Sequence, residues 1–213
     1  MCSGEHIDNC YFPTNSVASL LYTMEDGSTA EVGLVGNEGV LGVALFLGGE
    51  SSCSRTLVAV AGDAFRLSAT FLKEEFAHPG PLQHSLLRYT QAFITQVSQT
   101  AVCNRLHSVE QRLRRWLLLC DDRENRSELC MTQELIANML EGRRETITLA
   151  AGRLQHAGLI HYCRGRISIL DRKGLESIAC ECYRVVEDEF DRLLGRKRQT
   201  RLGNSRTVFE KAG

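Results

Sequence analysis

The run Arg143-Arg144-Glu145-Thr146 sets two guanidinium groups beside a carboxylate and a hydroxyl. A guanidinium is planar and can donate two parallel hydrogen bonds to guanine O6 and N7, and a carboxylate can accept from cytosine N4. Ile147, Ala150, Ala151 and Leu154 follow at helical spacing. With those four turned inward, Arg143, Arg144, Glu145 and Thr148 face outward on one side of a helix. That arrangement suits base edges in a major groove. Thr132 and Gln133, at the start of the preceding helix, and the cations Arg153, Arg164 and Arg166 suit phosphates.

These side chains need particular elements to hold them. Thr132 is an N-cap residue for a short helix whose apolar side is Leu135, Ile136, Met139 and Leu140. Glu141-Gly142 makes a tight turn, and the second helix starts at once. Two short helices joined through a glycine form a helix-turn-helix unit. Beyond Gly158, residues 159–170 read as strand, Arg164-Gly165-Arg166 turn, strand, which predicts a wing with cations at its tip.

Upstream, residues 10–70 read as β-structure. Val17–Tyr22, Glu31–Val35, Arg55–Val60 and Ala64–Ala69 are strand-like, and Asp26-Gly27 marks a hairpin turn. From Leu82 to His107 glycine and proline are absent and apolar residues recur at helical spacing, which predicts one long helix. Leu86, Tyr89, Phe93, Ile94, Val97 and Ala101 are the residues expected to pair it with a twin across a two-fold axis. Ser108 with Gln111 fits a capping box for a further helix with Val109, Leu113, Trp116, Leu117 and Cys120 facing inward. Residues 121–127 form a polar connector, and Asp171 to Leu194 reads as one last helix. The tail from Gly195, with Arg196-Lys197-Arg198, is expected to be disordered.

Composition fits this layout. Hydrophobic residues make up 43% and charged residues 24%, as in a globular chain. No apolar run reaches the ~18 residues of a membrane span, and no signal peptide is legible, so a cytoplasmic protein off the membrane is expected. Residues 1–104 carry four basic against ten acidic residues, and residues 105–213 carry 21 against 16. A polyanion partner is therefore expected at the C-terminal half. The nine cysteines leave two readings open, small buried hydrophobes with reduced surface thiols or a metal or redox input. Cys180 and Cys182 would face two sides of the last helix, so no metal pair is expected there and no cofactor is assigned. No nucleophile–base pair, phosphate loop or metal-ligand spacing supports an enzyme.

Arg144-Glu145-Thr146 after a short helix and turn, followed by Leu154, Gly158-Leu159-Ile160 and the wing, resembles the Crp/Fnr regulators. Tyr11-Phe12-Pro13 and the stretch Gly33 to Gly42 with Leu45 look like that family's cyclic-nucleotide-binding type β-roll, so the resemblance spans about residues 5–170. It implies an α+β chain. A jelly-roll-like β-roll occupies residues 1–76, a dimerisation helix 77–107 and a winged helix-turn-helix 108–195, with a tail over 196–213. It implies a homodimer on an inverted repeat of double-stranded DNA, with RNA polymerase as a further partner. Leu149 stands where a third base reader is often arginine, and its methyls suit a thymine methyl. The effector pocket would involve Gly42, Ser54 and Arg55, yet Gly42-Val43-Ala44-Leu45 lacks the ribose-binding Glu and Cys53 stands at the phosphate place. The resemblance thus implies a degenerate roll that does not take cyclic AMP. Only Cys2 and Cys10 lie near the start, too few for an iron–sulfur centre. Met1 falls inside the roll as the family has it, which implies a roll lacking its first strands.

Overall fold

Two antiparallel sheets build the N-terminal part of the computed structural model, which describes residues 4–123, 128–140 and 142–195. Strand β1 (Asn9–Pro13) pairs with β5 (Ala64–Ser68), and β2 (Val17–Thr23) lies between β3 (Thr29–Val35) and β4 (Arg55–Val60). The β2–β3 hairpin closes through the expected turn, where Gly27 takes a left-handed φ of 83° and Ser28 N donates to Asp26 Oδ1 at 2.9 Å. Helix α1 (Ala69–Ala77) begins where the last strand was expected to continue. Ser68 caps it by accepting from Phe71 N, and Leu72 is fully buried.

Helix α2 (Pro81–Leu106) is the long helix, with Pro81 in its first turn where a missing N–H costs nothing. At ~1.5 Å per residue, its 26 residues span about 39 Å. Helix α3 (Val109–Arg123) follows after the capping box, in which Ser108 N donates to Gln111 Oε1 at 3.0 Å and Gln111 N to Ser108 Oγ at 3.4 Å. All five residues expected to face inward on α3 are at least partly buried, and Leu118 and Leu119 join them. Strand β6 (Leu129–Cys130) then leads to α4 (Gln133–Met139), α5 (Arg144–His156), β7 (Ile160–Cys163) and β8 (Arg166–Ile169).

The last helix is not continuous. It divides into α6 (Arg172–Ser177), capped by Asp171, and α7 (Glu181–Leu194), with Cys180 at its N-cap. The break corrects the expectation that Cys180 and Cys182 look to opposite sides of one helix, since both are buried. Helix α7 runs antiparallel along α2: Cys180 lies beside Cys103 near the end of α2, and Arg88 near its start donates to Arg192 O. Cys2, Glu141 and the tail from residue 196 lie outside the described residues.

A buried polar junction joins the roll to both helical parts. Arg123 is fully buried; its Nε meets Glu38 Oε1 at 2.7 Å, its Nη2 meets Gln96 Oε1 at 2.6 Å, and its Nη1 donates to Leu119 O. Gln96 Nε2 in turn donates to Leu34 O at 2.8 Å. The guanidinium carbon sits 5.3 Å from the Phe190 ring centroid. Gly36 is required here, since a Cβ on it would lie 2.5 Å from Arg123 Cβ.

Candidate nucleic-acid interface and effector cavity

Thr132 opens α4 as expected, accepting from Leu135 N at 3.2 Å. Ile136, Ala137 and Met139 are buried on α4, and Ile147, Ala150, Ala151 and Leu154 on α5. With that side inward, Arg143, Arg144, Glu145, Thr148 and Leu149 all emerge on the exposed side of α5, and Leu149 is 65% exposed. Arg143 is the N-cap residue, so the two arginines and Glu145 crowd the first turn. Thr148 Oγ1 lies 2.8 Å from Gln133 Oε1 and 2.9 Å from Arg144 O, which fixes the start of α4 against α5.

The wing folds as an antiparallel pair with Cys163 opposite Arg166, and β6 joins on its other side through β8. Arg164 (φ 49°) and Gly165 (φ 75°) are both left-handed at its tip. Two consecutive positive φ values suit the right-handed twist of a two-residue hairpin loop. Of the expected phosphate ligands, Arg164 is exposed at that tip, Arg166 pairs with Glu128 at 3.3 Å, and Arg153 pairs with Glu110 at 2.9 Å while staying 72% exposed. Such surface pairs are weak and exchange readily for phosphate.

The residues expected at a dimer seam divide between two faces of α2. Leu86 and Tyr89 are buried against their own chain, Tyr89 stacking on Phe93 with centroids 5.9 Å apart. They are not available to a second copy. The exposed row is instead Leu87, Ile94 and Ala101, seven residues apart, continued by Val102 and Leu106. A seven-residue apolar repeat is the spacing of helices packed in pairs.

A cavity of about 630 Å³ lies between the roll and α2. Leu20, Tyr22, Val32 and Thr56 supply its sheet wall, Gly42 and Ser54 its loop wall, and Phe93, Ile94 and Val97 its helix wall. Gly42 (φ 103°) and Ser54, two of the residues expected at an effector pocket, are among the lining residues. Arg55 is not. Alternation along the strand turns Ser54 and Thr56 inward and Arg55 out to solvent. The lining residues carry no charge.

The opposite face of the same sheet meets the C-terminal helices, a contact that no local pattern in the sequence signals. Glu31 is buried; it accepts from Ser19 Oγ and from Trp116 Nε1 at 3.0 Å, while Ser19 Oγ lies 3.8 Å from Met139 Sδ. Burial lifts the Glu31 carboxyl to about 7, against the opposing pull of the Ser19 and Trp116 hydrogen bonds and the Arg115 and Arg123 charges.

Comparison with known proteins agrees with this geometry. Residues 111–178 match the Crp-like helix-turn-helix domain. No curated protein matches the chain. Among solved structures, FixK2 from Bradyrhizobium japonicum is similar over 84% of this chain and 90% of its own, with 15% identity and a TM-score of 0.71. A CRP-family transcriptional regulator from Thermus thermophilus is similar over 82% of this chain and 89% of its own, with 19% identity and a TM-score of 0.66. Another CRP/FNR-family regulator from that organism matches over 84% and 96%, with 23% identity and a TM-score of 0.61. The chain therefore combines a Crp-like helix-turn-helix domain with the fold of the Crp/Fnr transcription regulators. Among the described residues no helix is long and apolar enough to cross a membrane.

Proposed function

We infer that the protein is a homodimeric transcription regulator that reads an inverted repeat in double-stranded DNA. The observation that carries this reading is the exposed face of α5, where Arg143, Arg144, Glu145, Thr148 and Leu149 stand together, with Arg164 exposed at the tip of the wing that follows. Pairing α2 through Leu87, Ile94 and Ala101 with its twin would present two such faces. The spacing of two recognition helices must be about 34 Å to fit successive major grooves. An effector that moves α2 changes that spacing and hence the affinity.

The cavity supports an effector that is apolar or uncharged. Burying a cyclic phosphate there would leave an anion without a cationic partner, which is costly. Ile94 belongs both to the cavity wall and to the exposed row, so an occupant touches the proposed dimer seam directly.

The reading is tested by selecting genome fragments with the purified protein at low and near-physiological salt. Enrichment of an inverted repeat that survives the higher salt is the expected result. Binding that vanishes with salt and shows no motif would reduce the interface to charge attraction and overturn the assignment.

A further inference from the structure

Cys103, His107, Cys180 and Cys182 come together although 73 positions separate His107 from Cys180. The four potential ligand atoms all lie within 4.8 Å of one another. Cys103 and His107 sit one turn apart at the end of α2; Cys180 and Cys182 flank the start of α7. The three cysteines are buried and His107 keeps 14% of its side-chain surface exposed. We propose that these residues form a mononuclear zinc site that clamps the end of α2 to α7.

Two of the ligand-atom separations are those of a tetrahedral ion. Zn–S bonds of about 2.3 Å and Zn–N bonds of about 2.0–2.1 Å put two ligand sulfurs about 3.8 Å apart and a sulfur and a ring nitrogen about 3.5 Å apart. Cys103 Sγ and Cys180 Sγ are 3.8 Å apart, and Cys182 Sγ is 3.4 Å from His107 Nδ1. Nδ1 faces the sulfurs, so Nε2 is left to a second partner, and Glu181 Oε1 lies 3.7 Å from it. A carboxylate on the far nitrogen of a ligating histidine fixes the ring and raises its basicity. Three thiolates and one imidazole complete four coordination, which leaves no open position and makes the site structural rather than catalytic. On binding, each thiol gives its proton to water as its sulfur takes the metal.

The position of the clamp matters. His107 and Ser108 are the two residues between α2 and α3, the turn through which the helix-turn-helix domain follows the long helix. An ion held there fixes the angle of that turn, so zinc occupancy sets the placement of α5. This consequence rests on the DNA-binding reading; the site itself does not.

The test uses the full chain purified without chelator from zinc-supplemented cells, with metal content set against protein mass. One zinc per chain is expected, released by a mercurial reagent. Exchange with Co²⁺ is expected to give thiolate-to-cobalt charge-transfer bands and tetrahedral d–d absorption. Cys182→Ser should lose the bound ion while Cys163→Ser, at the wing, keeps it. Glu181→Gln should retain the fold and weaken zinc affinity roughly 10–100-fold. A wild-type chain that carries no zinc and gives no cobalt bands overturns the site, as does a Cys103–Cys180 disulfide in non-reducing peptide masses. Metal content is read without DNA, so it stands apart from any failure of operator binding. Unchanged operator affinity after stripping and reloading zinc would overturn the hinge role alone.

Discussion

Single side chains on α5 divide by what they touch. Arg144→Ala is expected to weaken operator binding by about 1–3 kcal/mol and to relax selectivity at one base pair. A titration against an operator panel with single-base changes checks this; unchanged discrimination would remove α5 from the groove. Arg164→Ala, at the wing tip, should weaken binding evenly across sequences and lower the salt slope by about 1. Glu31 acts on the protein itself. Its folded pKa is raised, from 4.5 to about 7, so the folded state holds a proton that the unfolded chain releases. The stability from that proton is full below pH 4.5, falls as pH rises through the window and is gone above about 7. Denaturant midpoints on either side of the window should fall for the native chain and stay level for Glu31→Gln.

Helices were legible in the sequence where their ends carry local signals. The Ser108–Gln111 box and Thr132 each satisfy a free backbone N–H, and that chemistry is written within four residues. The split between α6 and α7 was not legible, because Leu175, Cys182, Val186 and Phe190 keep helical phase across it and are all buried. The cysteine–histidine cluster was hidden for the same reason: its members meet only once α7 folds back on α2. On α2 both sides are apolar, and periodicity does not say which side the roll claims. The roll takes Leu86 and Tyr89, leaving Leu87, Ile94 and Ala101 outside. Ala101→Glu would set like charges against each other across a two-fold seam. Analytical ultracentrifugation should then find monomer with the fold intact, and operator binding should drop with it. A dimer that survives would place the seam elsewhere.

The whole chain is held at a few polar points rather than by apolar packing alone. Arg123, carried on α3, reaches Glu38 of the roll and Gln96 of α2, and removing the Glu38 charge leaves a buried guanidinium with only the charges of Glu187 and Asp122 to offset it. Glu38→Gln is expected to cost about 3–5 kcal/mol in chemical denaturation. A loss confined to the roll, with the helices unaffected, would show that the junction does not unite the parts. The sheet β3-β2-β4 faces the cavity on one side and Trp116 with Met139 on the other. One layer of strands thus separates any effector from the helices that would meet DNA.

Trp116 is the chain's single tryptophan, and it sits on that layer with its indole N–H on Glu31. The molecule therefore carries its one indole fluorophore at the joint between its halves. Its emission reports, without any attached dye, whether Glu31 holds its proton and whether the two halves have parted.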